Sequence, residues 1–233
     1  MPVDTTVRIK VCGITTAEDA LMVAEAGADY VGVIVGIDES PRRVTLSQAR
    51  TIREQSLLPV VLLFRDKKEE QIEEAVALLA PHAVQLQGEE YTVLAARLAG
   101  RLPCEIWKAV HLPPEGVGRS EVSRQIRNAL SMEEAGVSAI LVDTVVSEGE
   151  TRRYGGTGQV SDWRLARRVV DAVAVPAFLA GGINPENVGE AIRAVRPFGI
   201  DLASGVEVSV GQKDPEKVRR LVQAVREASP AEG

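Results

Sequence analysis

The chain has 233 residues, the length of one β/α barrel and enough to bury a core without disulfide staples. Hydrophobic residues make up 45%, which excludes a disordered chain, and a net charge of −6 with both signs interspersed excludes a basic stripe for nucleic acid or a polybasic membrane face. Aromatics are only 3%, against base-stacking platforms, and two cysteines with two histidines leave no disulfide framework and no zinc set.

No Cys/His metal site is therefore expected. Residues 1–6 are polar, without an apolar signal core, and no apolar run reaches spanning length. A reducing cytoplasm is the expected compartment.

Short β-branched runs alternate with longer helical patterns. Strands are predicted at 7–11, 30–35, 59–64, 83–86, 105–110, 139–142, 175–180 and 199–202. Helices are predicted at about 17–26, 47–55, 69–80, 91–99, 120–135, 162–173, 185–194 and 214–228. Such alternation predicts parallel strands joined by helical crossovers, hence an α/β chain folded as a single (β/α)8 TIM barrel over 1–233. Gly27 and Gly136 each follow Glu-Ala and read as helix stops; Asn184-Pro185 and Asp214-Pro215 read as helix starts. A doubly wound open sheet would want Gly-x-Gly-x-x-Gly after the first strand, where this chain has Cys12-Gly13-Ile14-Thr15.

Alternation along the first strand puts Arg8, Lys10 and Cys12 on one face and Val7, Ile9 and Val11 on the other. Cys12 then falls at the carboxyl end of a barrel strand, where active sites collect, with Lys10 beside it to favour a thiolate. Cys104, at the amino end of strand five, reads as structural. Arg42 follows strand two in a long loop and can clamp a carboxylate; Arg43 fits the same description. Gln85 and Gln87 share a face of strand four, and Gln87 reads either as barrel interior or as a substrate contact. Asp143 directly follows Ala139–Val142, a carboxyl group at the carboxyl end of strand six. Asp201 lies in an apolar run and needs a partner, either a substrate hydroxyl or a structural donor.

Two glycine-containing segments close the last two strands: Ala180-Gly181-Gly182 and Ala203-Ser204-Gly205. Small residues let backbone N–H groups close around a dianion, and the loops after strands seven and eight of a barrel are where phosphate usually sits. Gly181, Gly182, Ser204 and Gly205 are therefore the candidate phosphate grip, and the partner they imply is a phosphorylated small molecule.

Several blocks in order carry a resemblance. Lys10-Val11-Cys12-Gly13-Ile14-Thr15, Ala83-Val84-Gln85-Leu86-Gln87-Gly88-Glu89, Leu141-Val142-Asp143-Thr144, and Tyr154 to Gly158 with Asp162-Trp163 are followed by Ala180 to Val188 and Asp201 to Glu207. Together they resemble the phosphoribosylanthranilate isomerase family of tryptophan biosynthesis. The resemblance implies an Amadori rearrangement of N-(5′-phosphoribosyl)anthranilate without cofactor. It places Cys12 on the general base, Asp143 on the general acid, Arg42 on the anthranilate carboxylate contact, Asp201 on a sugar contact, and the glycine and serine segments on the phosphate. Gln87 stands where the family usually has histidine, and Val33-Ile34-Val35-Gly36 where it usually has aromatics. These departures keep open a paralogous aldose–ketose isomerase on another phosphorylated aminosugar; a third reading is a phosphometabolite-binding barrel without turnover, against which Cys12 and Asp143 argue, because binding alone needs neither. Residues 145–153 are charged and read as a candidate lid, and monomer and homodimer both remain open.

Overall fold

A computed structural model describes residues 6–112, 119–148, 151–154 and 163–229. The strands are β1 (Arg8–Val11), β2 (Tyr30–Gly36), β3 (Val60–Phe64), β4 (Ala83–Leu86), β5 (Glu105–Leu112), β6 (Ala139–Glu148), β7 (Thr151–Tyr154), β8 (Ala177–Leu179), β9 (Gly199–Leu202), β10 (Glu207–Ser209) and β11 (Gln212–Lys213). The helices are α1 (Ala17–Glu25), α2 (Leu46–Gln55), α3 (Glu69–Leu79), α4 (Thr92–Arg101), α5 (Arg119–Glu134), α6 (Trp163–Val170), α7 (Val188–Val195) and α8 (Pro215–Ala228). Neighbouring strands run in the order β5-β4-β3-β2-β1-β9-β8-β6, and β5 pairs with β6, so eight strands close into a ring. Every pairing in the ring is parallel. This is the (β/α)8 barrel that the alternation predicts.

Strand alternation divides the apolar residues between two layers. Ile9 and Val11, Val31 and Val33, and Ile140 and Val142 face the helices in one continuous core. Val61, Ala83, Trp107, Ala109, Ala139, Leu141 and Phe178 form a second cluster with Tyr30. They are inward-facing, and the few aromatic residues plug the amino end of the barrel. Trp107 stacks on Phe178 at 5.0 Å, and Tyr30 meets Trp107 edge-on at 5.3 Å. That leaves the other end for polar side chains.

Local chemistry sets the helix ends. Thr16 accepts a bond from the Asp19 amide, Thr45 and Gln48 form a capping box, and Asp214 caps α8 ahead of Pro215. Gly27 and Gly136 adopt φ of 98° and 89°, the left-handed stop their context predicts.

Two stretches differ from expectation. After Asn184 the chain makes a turn in which Asn184 Oδ1 accepts from the amides of Glu186 and Asn187, so α7 starts at Val188 and not at Pro185. Within the candidate lid, β6 runs on past its expected end to Glu148, and Val145 to Glu148 pair antiparallel with Thr151 to Tyr154 of β7. Gly155 to Gly158 and Asp162 lie outside the described residues.

Candidate active site

The inward face of β1 carries Lys10 and Cys12 into the barrel. Lys10 is fully buried, and its Nζ donates to Asp201 Oδ1 at 2.8 Å, across a pairing in which the two residues are also backbone partners. Gly32 on β2 makes the space: a Cβ there would stand 2.8 Å from Cys12 Sγ and 3.0 Å from Lys10 Nζ. One carboxylate oxygen of Asp201 is thus taken by Lys10.

That pairing changes the reading of Cys12. Burial alone would lower the Lys10 ammonium, but Asp201 and the neighbouring thiol more than offset this, and Lys10 sits above its ordinary value. Burial likewise pushes the Cys12 thiol above its ordinary value, against the pull of Lys10 and Lys213, with the Asp201 charge adding to the rise. The expectation of a lysine-stabilised thiolate is therefore corrected. The lysine is present, but its charge is matched by Asp201 and does not outweigh desolvation.

Asp143 is buried on the inward face of β6, in register with His111 of β5. Its Oδ2 accepts from Gln87 Nε2 at 3.0 Å, and Gln87 Oε1 accepts from Gln85 Nε2 at 2.7 Å. Gln87 is gripped by its backbone as well: its N–H donates to the Phe64 carbonyl at 2.8 Å, and its carbonyl accepts from His111 Nε2 at 2.7 Å. Burial lowers His111 to about 4, so at neutral pH the ring is uncharged and its proton sits on Nε2, facing the carbonyl.

Arg42 projects from the loop after β2, which is clipped back to the strand by the Val44 amide on the Ile34 carbonyl. Its Nε and Nη2 donate to Glu207 Oε1 and Oε2 at 2.8 and 2.7 Å. Gly13, at φ 70°, lets the chain pass beneath: a Cβ there would be 2.6 Å from Arg42 Cδ. Lys213 Nζ also donates to Glu207 Oε1 at 2.8 Å. Burial would raise the Glu207 carboxyl, but the bonds from Arg42 and Lys213 hold it below its ordinary value. Beside this group, Cys12, Ile34, Ile37 and Leu63 make a small buried apolar cluster. Arg43, the other arginine of this loop, pairs instead with exposed Asp38.

The loops after β8 and β9 sit against each other. Gly181 and Gly182 have φ of 87° and 67°, and a Cβ on Gly205 would run into the carbonyl oxygen of Ile183. Ser204, Gly205 and Val206 form a single 3-10 turn. Asn187 fastens the first loop, donating from Nδ2 to the Gly182 carbonyl at 2.9 Å and accepting from the Asn184 amide.

All the predicted site residues therefore lie at the carboxyl end of the barrel, and strand order arranges them. From β1 with Cys12, three steps along β9 and β8 reach β6 with Asp143. The two glycine loops lie on this short arc. Arg42 and Gln87 follow β2 and β4, on the longer arc. Sequence reasoning gave no role to His111, Glu207, Lys213 or the apolar trio Ile34, Ile37 and Leu63. The parity of β5, which puts His111 on the face of Trp107, could have found the histidine; nothing local links Glu207 to Arg42, 165 positions away.

The fold is a (β/α)8 barrel whose carboxyl end gathers these side chains. The sequence profile described as "N-(5'phosphoribosyl)anthranilate (PRA) isomerase" matches residues 9–224. The chain is 38% identical over 224 residues to an N-(5'-phosphoribosyl)anthranilate isomerase of Methanocella arvoryzae, covering 94% of this chain and 98% of the relative. It superposes on phosphoribosyl anthranilate isomerase from Thermotoga maritima with TM-score 0.80 and 35% identity, over 95% of this chain and 99% of that one. A solved complex of phosphoribosyl anthranilate isomerase with reduced 1-(o-carboxyphenylamino)-1-deoxyribulose 5-phosphate is similar at TM-score 0.78 and 33% identity, again over 95% and 99% of the two chains. The chain belongs to the N-(5′-phosphoribosyl)anthranilate isomerase family.

Proposed function

We propose that this chain converts N-(5′-phosphoribosyl)anthranilate into 1-(2-carboxyphenylamino)-1-deoxyribulose 5-phosphate, an Amadori rearrangement in tryptophan biosynthesis, and that Cys12 and Asp143 carry the proton transfers. The observation behind this is the order around the mouth: thiol, two glycine loops, carboxyl. A phosphate held by Gly181, Gly182, Ser204 and Gly205 would lie between the two groups. The ribose would then reach inward past both, and the aromatic ring would fall on the longer arc.

Two features support the fit. Among the described residues the N–H groups of Gly181 and Gly182 take no hydrogen-bond partner, which suits a dianion in the left-handed turn they form. On the other side, Ile34, Ile37 and Leu63 offer an apolar wall beside Arg42. Glu207 occupies one edge of the guanidinium, Nε and Nη2, which leaves the edge with Nη1 for a carboxylate. An apolar wall with an adjacent cation matches a benzoate ring. This favours the anthranilate substrate over another aminosugar, although the aromatics usual after strand two are missing.

The chemistry follows from these positions. Asp143 gives its proton to the ring oxygen of the ribose. The C1–oxygen bond breaks toward that oxygen, and the anilino nitrogen lone pair closes the iminium. The C2 proton is then acidic, because the iminium withdraws electrons. The Cys12 thiolate takes it, leaving an enamine with a C2 hydroxyl that tautomerises to the ketone. A thiol with a raised pKa is a stronger base once ionised, at the cost of a smaller ionised fraction at neutral pH. Lys10, paired to Asp201, keeps a compensated charge beneath the sugar, and Asp201 stands near the sugar with its second oxygen.

The test is consumption of the fluorescent anthranilate adduct by the purified protein, with growth of an isomerase-deficient tryptophan auxotroph as the second readout. Turnover and growth are expected. Tight binding of the product analogue with no turnover would favour the binding barrel, and soluble expression without growth would favour the paralogue.

A further inference from the structure

Gln87 is held at every polar group it has. Its N–H, its carbonyl, its Oε1 and its Nε2 each meet a protein partner: Phe64, His111, Gln85 and Asp143. A side chain so engaged is not arranged as a substrate contact. The direction of the bonds carries more. A carboxylate only accepts, so an ionised Asp143 requires the Nε2 of Gln87, which turns Gln87 Oε1 toward Gln85. Gln85 must then present its own Nε2, and its Oε1 is left buried without a donor. A buried acceptor without a partner costs free energy. The chain of amides accepts that cost at its inner end, and its outer end is a donor aimed at Oδ2.

We propose that Gln87, directed by Gln85, is a positioning residue that holds Oδ2 of Asp143 as an acceptor, so that the proton to be delivered sits on Oδ1. A proton on Oδ2 would face the Nε2 hydrogen of Gln87 at 3.0 Å, and that arrangement is repulsive. The amide thus selects the oxygen from which the ring oxygen receives its proton, and His111 and Phe64 fix the amide by its backbone. The inference rests on the proposed role of Asp143 as the acid.

The experiment compares Gln87→Met, Gln87→His, Asp143→Asn and the Gln87→Met/Asp143→Asn double variant, each checked for a native melting curve. Methionine is nearly isosteric and removes the donor to Asp143 together with the acceptor for Gln85 Nε2. The expected result is a kcat about tenfold or more lower in Gln87→Met, as for a lost hydrogen bond to a charged group, with KM changed less than about threefold. Gln87→His, which restores an N–H donor, recovers most of the loss. In the Asp143→Asn background the methionine causes no further loss, because the group it positions is gone. A kcat within about twofold of the parent in Gln87→Met, or a rise in KM alone, overturns the proposal, the latter making Gln87 a substrate contact. If Gln87→Met does not fold, Gln85→Met is read the same way: a lowered kcat at constant KM supports the chain of amides, and an unchanged kcat overturns it. A parent-like Asp143→Asn would instead remove the acid role itself, a failure distinct from that of Gln87.

Discussion

The carboxylate of Glu207 grips the guanidinium of Arg42 by two hydrogen bonds, at 2.8 and 2.7 Å, in a setting where neither side chain is more than 11% exposed. Planar, two-pronged contact of this kind fixes the orientation of an arginine as well as its position. Lys213, with no exposed side-chain surface, shares the same carboxylate.

Replacing Glu207 by glutamine should therefore act twice. Two buried cations lose their counter-charge, which lowers stability by about 3 kcal/mol. Arg42 also loses its fixed direction, and KM for the anthranilate adduct rises about tenfold or more. Urea titration and steady-state kinetics check the two effects. An unchanged KM in a folded Glu207→Gln variant would mean that Arg42 is not held for the substrate carboxylate.

The thiol makes a pH prediction. Only the thiolate takes a proton, and burial places the Cys12 pKa above the ordinary 9.0. Ionisation of Cys12, followed by ultraviolet thiolate absorbance with Cys12→Ser as the blank, should therefore still be climbing at pH 9, and a plateau reached below pH 8 would contradict a thiol held protonated by burial. The rate itself follows the product of thiolate and protonated Asp143, not the thiol alone. Cys12→Ser should lower kcat at least about a hundredfold.

The contact between the two glycine loops is tested by one methyl group. A Cβ on Gly205 meets the Ile183 carbonyl, so even Gly205→Ala must push the loops after β8 and β9 apart. KM should rise about tenfold, equivalent to roughly 1.4 kcal/mol of lost phosphate binding, with kcat less affected. Gly182→Val should do the same, since φ of 67° strains any β-branched residue. An unchanged KM in both would put the phosphate elsewhere.

His111 links stability to acid. Its folded pKa of about 4 lies below the ordinary 6.5, so the folded state prefers the neutral ring. The stabilisation is whole above pH 6.5 and is lost as pH falls toward 4, where the unfolded chain has already taken the proton. His111 is only partly buried as a residue, and the loss expected is about 2 kcal/mol rather than the full linkage value. Urea midpoints from pH 7 to 4 should fall less steeply in His111→Gln than in the parent; parallel slopes would show that the histidine does not titrate between the two states.

How much of this was readable beforehand depends on the range of the interaction. The strands and the helix stops at Gly27 and Gly136 follow from periodicity and glycine chemistry, both local. The placement of Cys12, Asp143 and the glycine loops at one end of the barrel was legible because position at a strand's carboxyl end is itself a local property of the chain. The start of α7 was misjudged because Asn184 caps a turn and not the helix, two outcomes that share one sequence pattern. The character of the site was less legible still. That Asp201 neutralises Lys10, leaving the Cys12 thiol protonated, depends on residues 191 positions apart meeting in the ring. The engagement of Gln87 needs β3, β5 and β6 in place around β4, and the sequence shows only that a glutamine stands there.

The most direct test is a crystal structure of this protein with the reduced product analogue. The account predicts the phosphate against Gly182 and Gly205, C2 about 3–3.5 Å from Cys12 Sγ, and the Asp143 carboxyl on the opposite flank at the former ring oxygen. A phosphate bound away from both loops, or a sugar carbon chain out of reach of the sulfur, would contradict it.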